Sequence, residues 1–312
     1  MLKGKLNPLA AYAWAVTAYN ILVVLWGAFV RASGSGAGCG SHWPLCNGEV
    51  LPKAEAVETA IEFTHRVTSG LAFLLVLGLL VWVIRRTAKG SQMRWFAWGA
   101  MIFMISESLV GAGLVLFKWV AGDTSLARVI VMGVHLTNTL LLLFTLTLTA
   151  WLASGRPVLD WGRTGRVKWL LVIGFTGMLV MSAAGAVTAL GDTLFPAATL
   201  AEGIETDFSP RANLLVQLRV WHPLLAVFVG FYLYSLARHL RAATQDPLVR
   251  VLGLVLMVLF GVQLMAGALN LVLLVPVGLQ IVHLFLATLV WVSLTLLFAA
   301  RLSVGESPEE RT

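Results

Sequence analysis

The sequence predicts an all-α integral membrane protein with eight transmembrane helices, arranged as two pseudo-symmetric four-helix bundles. Three observations predict this fold class: the composition, eight long apolar runs and an internal repeat. Of the 312 residues, 59% are hydrophobic and 12% are charged, whereas a soluble globular domain has about 25% charged residues. The composition therefore excludes a disordered chain, a coiled coil and an ordinary soluble enzyme.

Eight apolar runs are each long enough to cross a bilayer, which takes about 20 residues of helix. A backbone inside lipid has to satisfy its own hydrogen bonds, so these runs are expected to be helices. The runs cover residues 10–30, 62–84, 95–117, 127–152, 168–190, 216–237, 250–274 and 277–300.

Basic residues are distributed unequally between the loops, and this predicts the orientation. The positive-inside rule places the side that is richer in basic residues, together with both termini, on the cytoplasmic side of a cell membrane. The long loops 31–61 and 191–215 then face outward, and the net charge of +7 reflects loop charge rather than nucleic acid binding. The richer side holds 15 of the 22 basic residues, namely Lys3, Lys5, Arg85, Arg86, Lys89, Arg94, Arg156, Arg163, Arg166, Lys168, Arg238, Arg241, Arg250, Arg301 and Arg311.

The two halves of the chain, 1–155 and 156–312, resemble each other at an offset of about 157 residues. We interpret them as two four-helix units related by duplication, and as parallel repeats because each has an even number of spans. His135 and His283 pair at a shorter offset of 148 residues. The other matched pairs are Gly27 with Gly185, His65 with His222, and Glu107 with Gln263.

Four of the six histidines lie inside spans, one in each even-numbered span. A single intramembrane histidine is as often a hydrogen-bonded packing residue as a functional one. Four of them together point to function, because ionisable groups in lipid are costly and usually functional. Two imidazoles opposed across a helical bundle suit haem iron, whereas zinc requires three or four close ligands. We therefore predict two haem sites near the outer face, with axial ligands His65 and His135 in one and His222 and His283 in the other.

Arginines at the outer rim are candidates for binding the haem propionates. The guanidinium group binds carboxylates well, but anchoring at the membrane interface explains each arginine equally well. The rim arginines are Arg31, Arg66, Arg128, Arg211 and Arg219.

The two predicted sites differ in their acidic residues. Glu62 precedes His65 by three residues and shares its helix face, and the matching residue in the second half is Arg219. A carboxylate beside a haem can exchange protons or hold a water, so we predict chemistry in the first half and a fixed haem in the second. The alternative for Glu62 is an acid favoured by the helix dipole. Glu107 is predicted to link helices or to join a proton path.

Cys39 and Cys46 lie in the first outer loop, which is rich in glycine and contains Pro44. The outer compartment permits a disulfide. Such a bond would be either a structural staple or a redox-active pair near the first haem.

These residues together resemble the haem A synthase family (the CtaA type, related to the mitochondrial haem A synthases) over the whole chain. The most specific motifs are Val30-Arg31-Ala32-Ser33-Gly34-Ser35-Gly36, which leads to Cys39 and to Trp43-Pro44-Leu45-Cys46, and Glu62-Phe63-Thr64-His65-Arg66. The resemblance implies an oxidoreductase that converts the C8 methyl group of haem O, by hydroxylation, into the formyl group of haem A for terminal oxidases.

The resemblance also implies roles for individual residues. His65 and His135 would hold the substrate haem in the N-terminal half, and His222 and His283 would hold a permanent haem b in the C-terminal half. Glu62 would be the catalytic carboxylate. Arg66 and Arg219 are further haem-binding candidates because of their position at the rim, and not because of the resemblance. Glu107 departs from the family, in which an amide like Gln263 is expected.

Other partners follow from the proposed chemistry rather than from motifs. A haem O-making farnesyltransferase is a natural supplier of substrate, an electron acceptor is required, and the sequence leaves a homo-oligomer open. The main rival function is a di-haem b-type electron-transfer cytochrome without chemistry of its own. A transporter or structural membrane subunit without haem is a second rival.

Overall fold

The computed structural model describes residues 7–53, 56–161 and 165–303. Within these ranges it is all-helical, and eight helical segments are long and apolar enough to span a membrane. The all-α membrane fold class and the eight spans are thereby confirmed. Lys3, Lys5, Arg163 and Arg311, which contributed to the predicted orientation, lie outside the described residues. The helices are α1 Pro8–Ala32, α2 Val57–Arg86, α3 Gln92–Leu116, α4 Leu126–Ala153, α5 Gly165–Leu194, α6 Leu200–Asp207, α7 Leu214–Leu218, α8 Trp221–Ala242, α9 Pro247–Val272 and α10 Val277–Leu302.

Helix starts follow from local capping chemistry. The Asn7 side chain accepts a hydrogen bond from the backbone N–H of Ala10, and Pro8 occupies the first turn of α1. The Asp246 side chain caps α9 in the same way, and Pro247 follows it. Proline is tolerated at these positions because the first N–H groups of a helix have no partner within it.

Two of the differences between helix boundaries and apolar runs affect the site. Helix α2 begins at Val57, five residues before the predicted run, because its polar first turn is helical without being apolar. Glu62 therefore lies in the second turn of α2 rather than at its start. The predicted outer loop 191–215 contains the last turn of α5 as well as α6 and the start of α7, and α7 with α8 forms one span over Leu214–Ala242.

The spans of each half of the chain contact one another in a closed ring. In the first half, α1 contacts α2 and α4, and α3 contacts the same two helices; in the second half, α5 and α9 each contact α8 and α10. Contacts between the halves join α1 and α4 to α5 and α10. Exchanging the halves maps each of these contacts onto another one, which is the pattern expected from a duplicated unit.

The most buried spans, α4 of the first ring and α10 of the second, contact each other where the two rings meet. Trp291 of α10 is buried, and its indole N–H donates to the carbonyl of Leu140 in α4 at 2.7 Å. Phe144 and Phe175 pack around this tryptophan. The centre is thus a rigid aromatic core, and the histidine-bearing helices are held around it.

Candidate functional site

In both halves a histidine packs against a glycine of the preceding span. A Cβ added to Gly27 of α1 would lie 2.9 Å from Cε1 of His65, and a Cβ added to Gly185 of α5 would lie 2.8 Å from Cε1 of His222. Both values are shorter than a normal contact, so each imidazole needs the absence of a side chain there. The sequence repeat that pairs these residues thus corresponds to the same three-dimensional contact.

The second pair of predicted ligands faces each other across the second ring. The imidazole centres of His222 and His283 lie 6.2 Å apart, with perpendicular ring planes. Nδ1 of His222 lies 3.1 Å from the carbonyl oxygen of Met181. This contact fixes Nδ1 as the protonated nitrogen and leaves Nε2 with a free lone pair. His283 packs against Gly267, and its Nε2 lies 3.2 Å from Nε2 of Gln263.

The first pair lies on the diagonal helices α2 and α4. His65 and His135 are close enough to interact electrostatically. Nδ1 of each is buried without a hydrogen-bond partner among the described residues. Nδ1 of His135 lies 3.4 Å from Oε1 of Glu107, which is ion-pair range without the geometry of a hydrogen bond.

The spacing of His222 and His283 fits a haem, the group that the sequence suggested. A nitrogen–metal bond is about 2 Å long, and the nitrogen lies about 1 Å from the ring centre. The centres of two imidazoles that bind one iron from opposite sides would therefore be about 6 Å apart. The ring centres of His222 and His283 are 6.2 Å apart. Histidines that bind metals usually donate their other N–H to a carbonyl or carboxylate. His222 does so to Met181, and His135 has Glu107 beside Nδ1.

Glu62 is buried and fully engaged by protein groups. Its Oε2 accepts from the backbone N–H of Cys39 at 2.8 Å, and its Oε1 accepts from Arg66 at 2.5 Å. Arg66 also donates to the carbonyl oxygens of His42 and Leu45. Arg66, predicted to bind a propionate, thus connects Glu62 to the loop that holds the cysteines.

A disulfide joins Cys39 and Cys46, as predicted. The two residues are 0% and 1% exposed. Because Cys39 also donates its N–H to Glu62, the disulfide loop forms one wall beside the carboxylate. Burial of both sulfur-bearing residues favours the structural staple over the redox-active pair.

Arg219, which replaces Glu62 in the second half, forms ion pairs with two aspartates. It lies 3.1 Å from Asp192 and 2.9 Å from Asp207. Burial raises the pKa of the Asp207 carboxyl, and the nearby Arg219 guanidinium opposes that shift. Sequence reasoning missed both aspartates, because 27 and 12 residues separate them from Arg219 and no motif links them.

Two other rim arginines also have protein partners. Arg31 of α1 donates to the carbonyl of Ala189, to Thr193 and to Gln280, and so connects the first half to the second. Arg128 donates to two backbone carbonyls in the loop before α4. These contacts stabilise the rim whether or not the arginines also contact a ligand.

Glu107 links α3 to α4, as predicted, through a polar cluster whose other members the sequence did not identify. Asn138 and Thr139 of α4 each donate to Glu107 at 2.5 Å. Both residues lie within one turn of His135, and this spacing on one helix was the available signal. In the second half, Gln263 contacts His283 at the other ring nitrogen, Nε2.

Comparisons with known proteins identify the family of this chain. The model of the family described as cytochrome oxidase assembly protein, COX15-CtaA, matches residues 10–295. A Thermus thermophilus protein named Protoheme IX farnesyltransferase is 51% identical over 300 residues, which cover 95% of this chain and 49% of that protein. The chain therefore spans about half the length of this relative.

Shorter matches carry a different name. The Heme A synthase of an Exiguobacterium species is 40% identical over 119 residues, 38% of this chain and 39% of that protein. The Heme A synthase of Alkalihalophilus pseudofirmus is 41% identical over 103 residues, 33% of this chain and 35% of that protein. Because the family match extends over nearly the whole described membrane domain, the chain belongs to the COX15-CtaA family of cytochrome oxidase assembly proteins.

Proposed function

We propose that the protein is a haem A synthase, which oxidises the C8 methyl group of haem O to a formyl group. His65 and His135 hold the substrate haem in the first ring of helices, and His222 and His283 hold a haem b in the second. The observation that carries this proposal is the repeated contact of an in-membrane histidine with a glycine, at Gly27 and at Gly185. Relatives named Heme A synthase add support.

Glu62 is the catalytic carboxylate in this proposal. It lies one helical turn from His65, so both side chains project from the same face of α2. Arg66 and the N–H of Cys39 fix both carboxylate oxygens. A carboxylate held in this way can accept a proton from the reacting methyl group or orient a water, while the disulfide loop limits access of bulk water.

The reaction also determines what else must be present. Conversion of a methyl to a formyl group, through two hydroxylations with water as the oxygen source and loss of water from the geminal diol, consumes one water in total and releases four electrons and four protons. An electron acceptor is therefore part of the proposal, and a bound haem b supplies a one-electron carrier beside the catalytic half. A haem O-forming farnesyltransferase is the expected supplier of substrate.

The proposed orientation places the disulfide loop on the outer side of the cell membrane and both termini on its cytoplasmic side. The basic residues at the opposite ends of the spans support it, such as Arg85 and Arg86 at the end of α2. A disulfide is expected in an oxidising compartment, which supports the same orientation.

A second candidate is transfer of a farnesyl group to haem. It is favoured by the name of the 51% identical Thermus relative. This chain matches only 49% of that protein, so the named activity need not reside in the matched half.

Haem extraction from expressing cells tests these functions. Cells that express the chain together with a source of haem O should yield haem A, identified by mass and by its absorption. Glu62→Gln should abolish haem A formation and retain haem binding. Glu58→Gln is the matched control, because Glu58 is an exposed acid in the first turn of the same helix.

The outcomes separate the alternatives. Unchanged haem A formation in Glu62→Gln would remove that residue from the mechanism. Haem bound without any haem A would support the di-haem electron-transfer cytochrome. Formation of haem O from haem b, in cells that lack another farnesyltransferase, would support the second candidate.

A further inference from the structure

The histidines of α4 and α10 have different neighbours, which contact different nitrogens of the two imidazole rings. Oε1 of Glu107 lies 3.4 Å from Nδ1 of His135. In the second half, Nε2 of Gln263 lies 3.2 Å from Nε2 of His283. The two predicted haem sites therefore differ by an acidic group in one and a neutral amide in the other, in direct contact with a candidate axial ligand.

Glu107 is held in place by neutral groups. Its Oε2 accepts from the amide of Asn138 at 2.5 Å, and its Oε1 accepts from the hydroxyl of Thr139 at 2.5 Å. Asn138 in turn accepts from Ser106 and donates to the carbonyl of Phe103. Four contacts between α3 and α4 thus fix the side chain beside His135.

The second half lacks this arrangement. At the offset that relates His135 to His283, Asn138 and Thr139 correspond to Leu286 and Ala287. These side chains cannot donate hydrogen bonds. The cluster around Glu107 is therefore specific to the first site and is not a general requirement for joining these two helices.

We propose that Glu107 is a positioning residue for His135 and that it makes a haem in the first site harder to reduce than one in the second. This inference rests on the proposed function. Oε1 of Glu107 lies in ion-pair range of Nδ1 of His135 without a hydrogen bond, so it orients the ring through its charge. A negative charge in contact with an iron ligand stabilises ferric over ferrous iron.

The difference gives electron transfer a direction. Electrons removed in the first half move spontaneously toward the site of higher potential, which is the second one. The carboxylate of Glu107 thus has a function that Gln263, its counterpart, does not share: it favours oxidation in the first half and electron storage in the second.

Redox titration of haem-loaded protein tests the proposal. His283→Ala protein is loaded with one iron protoporphyrin IX per chain, so that only the first site is titrated. Glu107→Gln should shift the ferric–ferrous equilibrium toward ferrous by about tenfold, which corresponds to about 59 mV for one electron. Glu58→Gln is the control for loss of a distant acid. A shift no larger than that of the control overturns the proposal.

The reciprocal exchange provides an independent test if Glu107→Gln does not fold. Gln263→Glu in a His135→Ala protein should lower the potential of the second site by a similar factor, and an unchanged potential there counts against the proposal. A wild-type protein that binds no haem overturns the proposed function and this inference together. If two haems bind but their potentials respond to neither exchange, the inference is wrong and the proposed function is unaffected. The two can be told apart because iron protoporphyrin IX is not the substrate, and haem A formation is measured separately.

Discussion

Substitution of Gly185 by alanine should weaken haem binding in the second half while leaving the fold intact. The new Cβ would lie 2.8 Å from Cε1 and 3.1 Å from Nδ1 of His222, whereas ordinary contacts begin at 3.4 Å. The ring must therefore retreat by at least 0.6 Å. Its Nδ1 is hydrogen-bonded to Met181, one turn earlier on the same helix as Gly185, so the retreat also strains that contact.

Two opposing terms determine the size of the effect. Overpacking of this kind costs about 1–3 kcal/mol. Alanine in place of glycine in a helix interior contributes about 1 kcal/mol of stability, so the free energy of unfolding should fall by no more than about 2 kcal/mol. The overpacking cost acts on His222, the side chain that is displaced. If it is expressed entirely in haem binding, affinity falls by about 5- to 150-fold.

Titration of iron protoporphyrin IX into haem-free Gly185→Ala, in a His135→Ala background, measures this effect. The low-spin spectrum typical of two histidine ligands should weaken as the affinity falls. Gly261→Ala in the second half is the matched control, because nothing lies within 4 Å of its added Cβ. Wild-type affinity and an unchanged spectrum in Gly185→Ala would refute the assignment of His222 as a ligand held against this glycine.

Two further predictions concern the rim of the bundle. Cys46→Ser should lower the free energy of unfolding by about 2.5 kcal/mol, the chain-entropy value for a loop this short. The native disulfide should resist mild reductant and alkylation, because both cysteines are buried. Rapid labelling of the cysteines in the folded protein after mild reduction would contradict the structural staple. Arg219→Gln should lower the melting temperature, because breaking a buried ion pair costs about 3–5 kcal/mol, and should raise the pKa of Asp207 further. A raised pKa means that the folded state binds protons more readily than the unfolded state, so the variant should regain stability as pH falls through that pKa. If the melting temperatures of the variant and the wild type fall in parallel as the pH is lowered, this reasoning is wrong.

The membrane environment explains why most of the fold could be predicted. A backbone in lipid has to be helical over a fixed length, so apolar run lengths alone locate eight spans to within about five residues. The in-membrane histidines are also readable, since polar groups there are costly. The start of α2 could not be read in this way, because Glu58 and Thr59 lie outside the apolar run and obey no such constraint.

Long-range partners in the site could not be predicted from the sequence. The contacts of Arg66 with His42 and Leu45 depend on how the disulfide loop folds back over α2. The contacts of Arg219 with Asp192 and Asp207 depend on the break between α7 and α8. Periodicity identifies which face of a helix a residue occupies, but not which loop covers it.

The charges that distinguish the halves differ in whether they are compensated. Glu62 is paired with Arg66, and Arg219 is paired with Asp192 and Asp207, of which Asp192 also interacts electrostatically with Arg31. Glu107 contacts only neutral hydrogen-bond donors and His135 among the described residues. An ion pair has a weaker field at a distance than a single charge, because its two terms largely cancel. Glu107 is thus the acidic residue expected to set the potential difference between the sites, whereas Glu62, held by Arg66 at the wall of the first site, is suited to proton transfer.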